Sequence, residues 1–130
     1  MADFQVVIVT PENTALDQMA DYVTLPAIDG ELGVMSNHAP LIARLAFGEM
    51  RIQSGGKTSR YYVDGGFAQI ADNVVSVLSG RAVAAGDINV KDIQRQLDSA
   101  ESQDTTDPAQ EALRLRSIAQ SRAQLKIASK

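Results

Sequence analysis

The chain has 130 residues, enough for one buried core of ordinary domain size with a small appendage beside it. Its 45% apolar and 22% charged content is that of a folded protein, and a net charge of −4 offers no source for the counterion release that drives nucleic-acid binding. With no cysteine and one histidine, disulfides, thiolate zinc sites and histidine-cluster metal sites are excluded by inventory.

The start, Met1-Ala2-Asp3-Phe4, lacks the basic opening and long apolar run of a secretory signal, which predicts that the chain stays where it is made. Absence of cysteine fits the cytosol. Pro26, Asp29, Glu31 and Arg44 interrupt the most apolar stretches before any reaches the ~18 residues of a spanning helix, so membrane contact is expected only through a partner.

Phe4 to Thr10 is a β-branched run closed by Pro11 and Asn13, the pattern of a first strand. Tyr22-Val23-Thr24-Leu25 is a second, ended by Pro26 ahead of the turn Asp29-Gly30, and Glu31 in that glycine turn is expected to be solvated. Leu41 to Phe47 follows Pro40 as a third. Met50 to Gln53 and Arg60 to Val63 flank Ser54-Gly55-Gly56-Lys57, a hairpin with a glycine-supplied turn, and Gly65-Gly66 and Asp72-Asn73 mark the next turns. Phe67 to Ile70 and Val74 to Leu78 complete the series. Short strands without intervening helical periodicity predict an antiparallel sandwich or barrel over residues 1–85.

From residue 86 the period changes. Val90, Ile93, Leu97 and Ala100 form one stripe of an amphipathic helix, with Asn89 as N-cap, Asp92 near the positive helix end, and Ile88 and Ile93 spaced as a hydrophobic staple. Gln103 to Thr106 breaks this helix and Asp107-Pro108 starts the next, predicting an antiparallel hairpin over 86–130. Ala109, Ala112, Leu115, Ala119, Ala123 and Ile127 give the second helix a mostly small-residue face expected to lie against the first. Ile118 and Leu125 fall outside that face; they pack on the sandwich or meet a separate partner.

The negative charge resides in the first 86 residues. From Ala109 onward only Glu111 is acidic, against Arg114, Arg116, Arg122, Lys126 and Lys130. Lys126 and Lys130 complement the negative end of the helix dipole, whereas Arg114 and Arg116 lie too early for that and suit an acidic partner.

Motifs that would carry catalysis are weak. Gly56-Lys57-Thr58 resembles the end of a phosphate-binding loop, but Arg51 stands where its first glycine belongs and no crossover helix follows. Asp29, Ser36 and His38 could be drawn as a nucleophile set, yet nothing marks a strained elbow or an oxyanion site. His38 is expected to order its loop through a backbone hydrogen bond or to face a partner. No catalytic residue, nucleotide site, metal or cofactor is expected.

Taken in order, Asp29-Gly30-Glu31-Leu32-Gly33, His38-Ala39-Pro40-Leu41, Gly48-Glu49-Met50-Arg51-Ile52 and Gly65-Gly66-Phe67, followed by a helical tail, resemble the epsilon subunits of bacterial F-type ATP synthases. The resemblance implies a mainly β fold: a ten-stranded antiparallel β-sandwich and a C-terminal helical hairpin. It implies a non-catalytic rotor subunit of the central stalk, bound to the gamma subunit and the c-subunit ring, peripheral on the cytoplasmic face of the bacterial inner membrane. Glu31, Leu32, Gly33 and His38 would face the c ring. The hairpin would open toward the alpha and beta subunits and block ATP hydrolysis through Arg114, Arg116 and Arg122. Nucleotide-binding relatives begin the hairpin with Ile/Leu-Asp-x-x-Arg-Ala; this chain has Ile88-Asn89-Val90-Lys91-Asp92-Ile93, and Asp92 in place of the arginine would repel phosphate. The competing reading is a small ligand-binding or enzymatic sandwich that uses His38.

Overall fold

A computed structural model describes residues 3–129, so the readings made on Met1, Ala2 and Lys130 lie outside the described residues. The strands are β1 (Phe4–Val9), β2 (Thr14–Ala20), β3 (Tyr22–Ala27), β4 (Gly30–Met35), β5 (Leu41–Ser54), β6 (Lys57–Ala71), β7 (Val74–Leu78) and β8 (Ala82–Ala84). A single 3-10 turn, Ala85–Asp87, leads into α1 (Val90–Ser102) and α2 (Pro108–Ala128).

The strands hydrogen-bond in the order β2-β1-β7-β6-β5-β3-β4, with β8 beside β6. This continuous ladder becomes two layers because β5 and β6 turn a corner together. In β5 the buried side is odd-numbered at Leu45 and even-numbered at Met50 and Ile52; in β6 it changes from Val63 to Ala68 and Ile70. A strand shows alternate residues to alternate faces, so a change of parity means that the inner face has changed sides. The change in β6 falls at Gly65 and Gly66, with φ of 69° and 95°. A Cβ at Gly66 would overlap the carbonyl oxygen of Leu78, so glycine is required both for backbone angle and for space.

Phe4, Val6, Ile8, Val75, Val77, Ala68 and Ile70 of the first layer join Val23, Leu25, Val34, Met50, Ile52 and Val63 of the second in one core. Among the described residues there are eight strands where the resemblance implied ten; β5 and β6, at 14 and 15 residues, each serve both layers and so stand in for two strands apiece. The expectation that Gly65-Gly66 is a turn fails for the same reason. The pairing of β1 with β7 is parallel, in register from Gln5↔Val74 to Val9↔Leu78, and the other ladders are antiparallel. The Ser54-Gly55-Gly56-Lys57 turn forms as read, with φ of 58° and 80° at its glycines.

Both helix starts follow their capping residues. Asn89 accepts a hydrogen bond from the Asp92 amide, and Asp107 accepts one from Ala109 ahead of Pro108. The expected small-residue seam is overturned: Ala109, Ala112, Leu115 and Ala119 are exposed, and Ile118 and Leu125 instead pack with Leu97 and Ala100 of α1. Burying two large aliphatic side chains removes more apolar area from water than burying a row of alanines, and that difference sets the rotation of α2.

Candidate functional site

The outer face of the second layer is covered by the hairpin. In the ladder of β5 and β6, Phe47 pairs with Asp64, Glu49 with Tyr62 and Arg51 with Arg60, so these six side chains share one face. Arg116 of α2 lies 5.5 Å from the centre of the Phe47 ring, Gln120 donates to Asp64 at 2.8 Å, and Arg60 donates to the carbonyl oxygen of Ile127 at 2.8 Å. Tyr62 beneath them is buried and donates to Asp64 at 3.2 Å; burial first, and the neighbouring carboxylate second, raise its pKa far above the usual tyrosine value.

Among the described residues no element covers the outer face of the first layer. The registers align Gln5, Val7 and Val9 with Val74, Ser76 and Leu78, and carry the face on through Phe67 and Gln69 to Arg44 and Ile42. Ile42 is 69% exposed, and Met19, Phe67 and Leu78 are each about half exposed. Charge on this face falls at its margins, on Asp17 of β2 and Arg44 of β5.

At one end the β3–β4 turn and the start of β5 make a tip where exposed Ile28, Leu41 and Ile42 surround Asp29 and Glu31. Glu31, expected in a solvated turn, is the second residue of β4 and accepts a hydrogen bond from Arg51 at 2.8 Å. Leu32 packs partly buried against the core, and Gly33 lies under the Tyr22 hydroxyl, which a Cβ would strike. His38 is not brought to Glu31: it follows the opposite end of β4, beside Met35, Phe4 and Ile70. Its Nδ1 lies 2.6 Å from the Ala39 carbonyl oxygen, as an N–H donating to it. Ser36 and Asp29 likewise flank β4 from opposite ends. Among the described residues no group of three or more His, Cys, Asp or Glu could hold a metal ion.

The three arginines assigned to an inhibitory contact do not form one patch. Arg114 pairs with Glu111 of its own helix at 3.1 Å, Arg116 stacks on the sandwich, and Arg122 reaches Glu101 of α1 at 3.1 Å. Reading the sequence missed Ile28, Leu41, Ile42 and the row Phe67–Leu78 as surface groups. Their signal was an apolar residue on the outward parity of a strand, which becomes visible only once the inward parity is known.

Residues 3–85 match the family described as "ATP synthase, Delta/Epsilon chain, beta-sandwich domain". The chain is 42% identical over 120 residues to the ATP synthase epsilon chain of Rhodopirellula baltica, an alignment covering 92% of this chain and 94% of that one. It is 38% identical over 100 residues to the sodium ion specific ATP synthase epsilon chain of Propionigenium modestum, covering 77% and 73%. In three dimensions it is similar to a chain of the Euglena gracilis mitochondrial ATP synthase, in a cryo-EM structure of OSCP, F1 and c-ring in rotational state 1. The TM-score is 0.87 at 23% identity, covering 100% of this chain and 83% of the other, a likeness of fold.

Proposed function

The chain belongs to the ATP synthase delta/epsilon family, and from that membership we propose a division of labour between its faces. It is a non-catalytic central-stalk subunit of an F-type ATP synthase, with the chemistry carried by other subunits. Residues 1–85 serve as the head that joins rotor parts, and residues 86–130 as a regulatory tail.

The observation that carries the head assignment is the bare, largely uncharged outer face of the first layer. An apolar sheet face of that breadth, left open while its counterpart is roofed by helices, suits a permanent protein partner, and we assign it to gamma. The tip around Ile28, Leu41 and Ile42, with the Glu31-Leu32-Gly33 edge, is assigned to the polar loops of the c ring; His38, at the other end of β4, is left out of that contact. This puts the chain at the membrane periphery, on the cytoplasmic face of a bacterial cell membrane; among the described residues no helix is long and apolar enough to cross one.

The tail reading rests on the makeup of α2. Beyond the stripes facing α1 and the sandwich it exposes Leu113 and Leu115, more apolar surface than the docked state uses. A helix of this kind can exchange one docking surface for another at small net cost. Opening would free Arg116 from Phe47 and Arg122 from Glu101, and present them, with Arg114 still paired to Glu111 of its own helix, to alpha and beta.

Two measurements test the reading. The chain should co-purify with gamma, and failure to bind purified gamma removes the head assignment. Deleting the residues after Ala85 should raise ATP hydrolysis by the assembled complex, and an unchanged rate removes the brake.

A further inference from the structure

Glu31 and the last turn of α2 belong to different parts of the molecule, yet an unbroken row of charge-assisted hydrogen bonds joins them. Arg51 donates through Nη2 to Glu31 at 2.8 Å and through Nη1 to Glu49 at 2.9 Å. Glu49 accepts from Arg60 on its other oxygen at 2.9 Å, and the same Arg60 Nη1 donates to the Ile127 carbonyl at 2.8 Å. The final carbonyls of a helix have no intrahelical partner and carry the negative end of its dipole, so a guanidinium here both satisfies and neutralises.

We propose that Glu31, Arg51, Glu49 and Arg60 form a relay from the tip edge to the hairpin, so that drawing Glu31 off Arg51 loosens the docking of α2. The direction follows from where each group is held. The Glu49 side chain is 8% exposed and accepts from both Arg51 and Arg60, so a change in its pairing with one guanidinium alters where it holds the other. Arg60 is aimed at Ile127 by Glu49, Glu49 is held by Arg51, and Arg51 is anchored on its free side by Glu31. Glu31 alone is mostly exposed, at 61%, and is therefore the member a partner can reach. Removing it leaves Arg51 free to turn toward water, and the loss is passed to Glu49 and then to the clasp on Ile127.

As a link between partner contact and brake, the relay rests on the reading that the Glu31 edge faces the ring; as a property of the chain it does not. Its test is amide hydrogen exchange on the full-length chain, comparing residues 120–128 with β1 and β7 as internal controls. Arg60→Met should speed exchange in α2 by about tenfold, through loss of its charge-assisted hydrogen bond to the Ile127 carbonyl, with the controls in the other layer unchanged. Glu31→Ala, at an exposed position harmless to the core, should speed it by about threefold, and should add nothing in the Arg60→Met background because the downstream link is already cut. Wild-type exchange in Glu31→Ala, or a threefold effect that multiplies unchanged onto Arg60→Met, overturns the relay. Wild-type exchange in Arg60→Met overturns the clasp itself. In the assembled synthase, Glu31→Cys that fails to cross-link to the ring while the exchange coupling persists supports the relay and fails the ring assignment alone.

Discussion

Gln120 of α2 donates its side-chain amide to Asp64 of β6 at 2.8 Å, across 56 residues of sequence and between helix and sandwich. The carboxylate is already engaged by Tyr62, so the helix docks onto a polar group prepared by the head rather than onto grease. Gln120→Ala should therefore weaken hairpin docking by about 1–2 kcal/mol while leaving head stability unchanged. Limited proteolysis of the tail, set against denaturant unfolding of the head, measures the two separately.

Ile118 fills the seam between the helices. Ile118→Ala should cost about 2–4 kcal/mol of interhelical packing, and Leu115→Ala, at an exposed position three residues earlier, close to none. Helical circular dichroism during denaturant titration distinguishes them.

The paired glycines in β6 are the corner of the sandwich. Gly66→Ala should lower head stability by about 3 kcal/mol, because it combines a positive φ with overlap on the Leu78 carbonyl. Gly55→Ala, at a comparable φ but in open space on a hairpin tip, should cost about 1 kcal/mol.

The uncharged face of the first layer gives a binding prediction. Met19→Asp and Phe67→Asp should each weaken association with gamma by at least about tenfold, with unfolding free energy altered by no more than about 0.5 kcal/mol. Calorimetric titration with purified gamma and denaturant unfolding of the free chain are the two readouts.

Tyr62 predicts an alkaline limit to stability. Its folded pKa is raised by burial and then by Asp64, so the un-ionised phenol contributes stability that is fully present below the unfolded value, near 10, and is lost as pH rises above it. Tyrosinate absorbance should show one phenol ionising only together with unfolding, and Tyr62→Phe should remove that phase.

Much of this architecture was legible because its signals are local. Asn89 and Asp107-Pro108 fix helix starts through their own amides, and Gly55-Gly56 fixes a turn through its own angles. Three strands were invisible, and one of them, β8, is only the three residues Ala82–Ala84. β2 reads Thr-Ala-Leu-Asp-Gln-Met-Ala with few β-branched residues, and β4 opens on Gly-Glu, so these two take their conformation from their neighbours rather than from propensity. Gly65-Gly66 looked like a turn because the same positive φ serves a corner inside a strand. The face of α2 was misjudged because the helix is apolar on several sides, and rotation was then decided by Leu97 and Ala100 on another helix. Of the candidate site, Glu31 was found by motif, but its tie to Arg51 spans 20 residues and could be seen only once the strands were paired.

The parallel ladder between β1 and β7 imposes an order of assembly on the nascent chain. β1 can pair with β2 as soon as residue 20 is made, but its other edge stays open until Val74–Leu78 arrives, so the core cannot close earlier. A product truncated before Val74 would present an unpaired strand edge and half a core, the kind of species that aggregates or is degraded. The helices come last and dock on a face already complete, so loss of the tail during synthesis leaves a head that is finished, whereas loss of one short late strand leaves none.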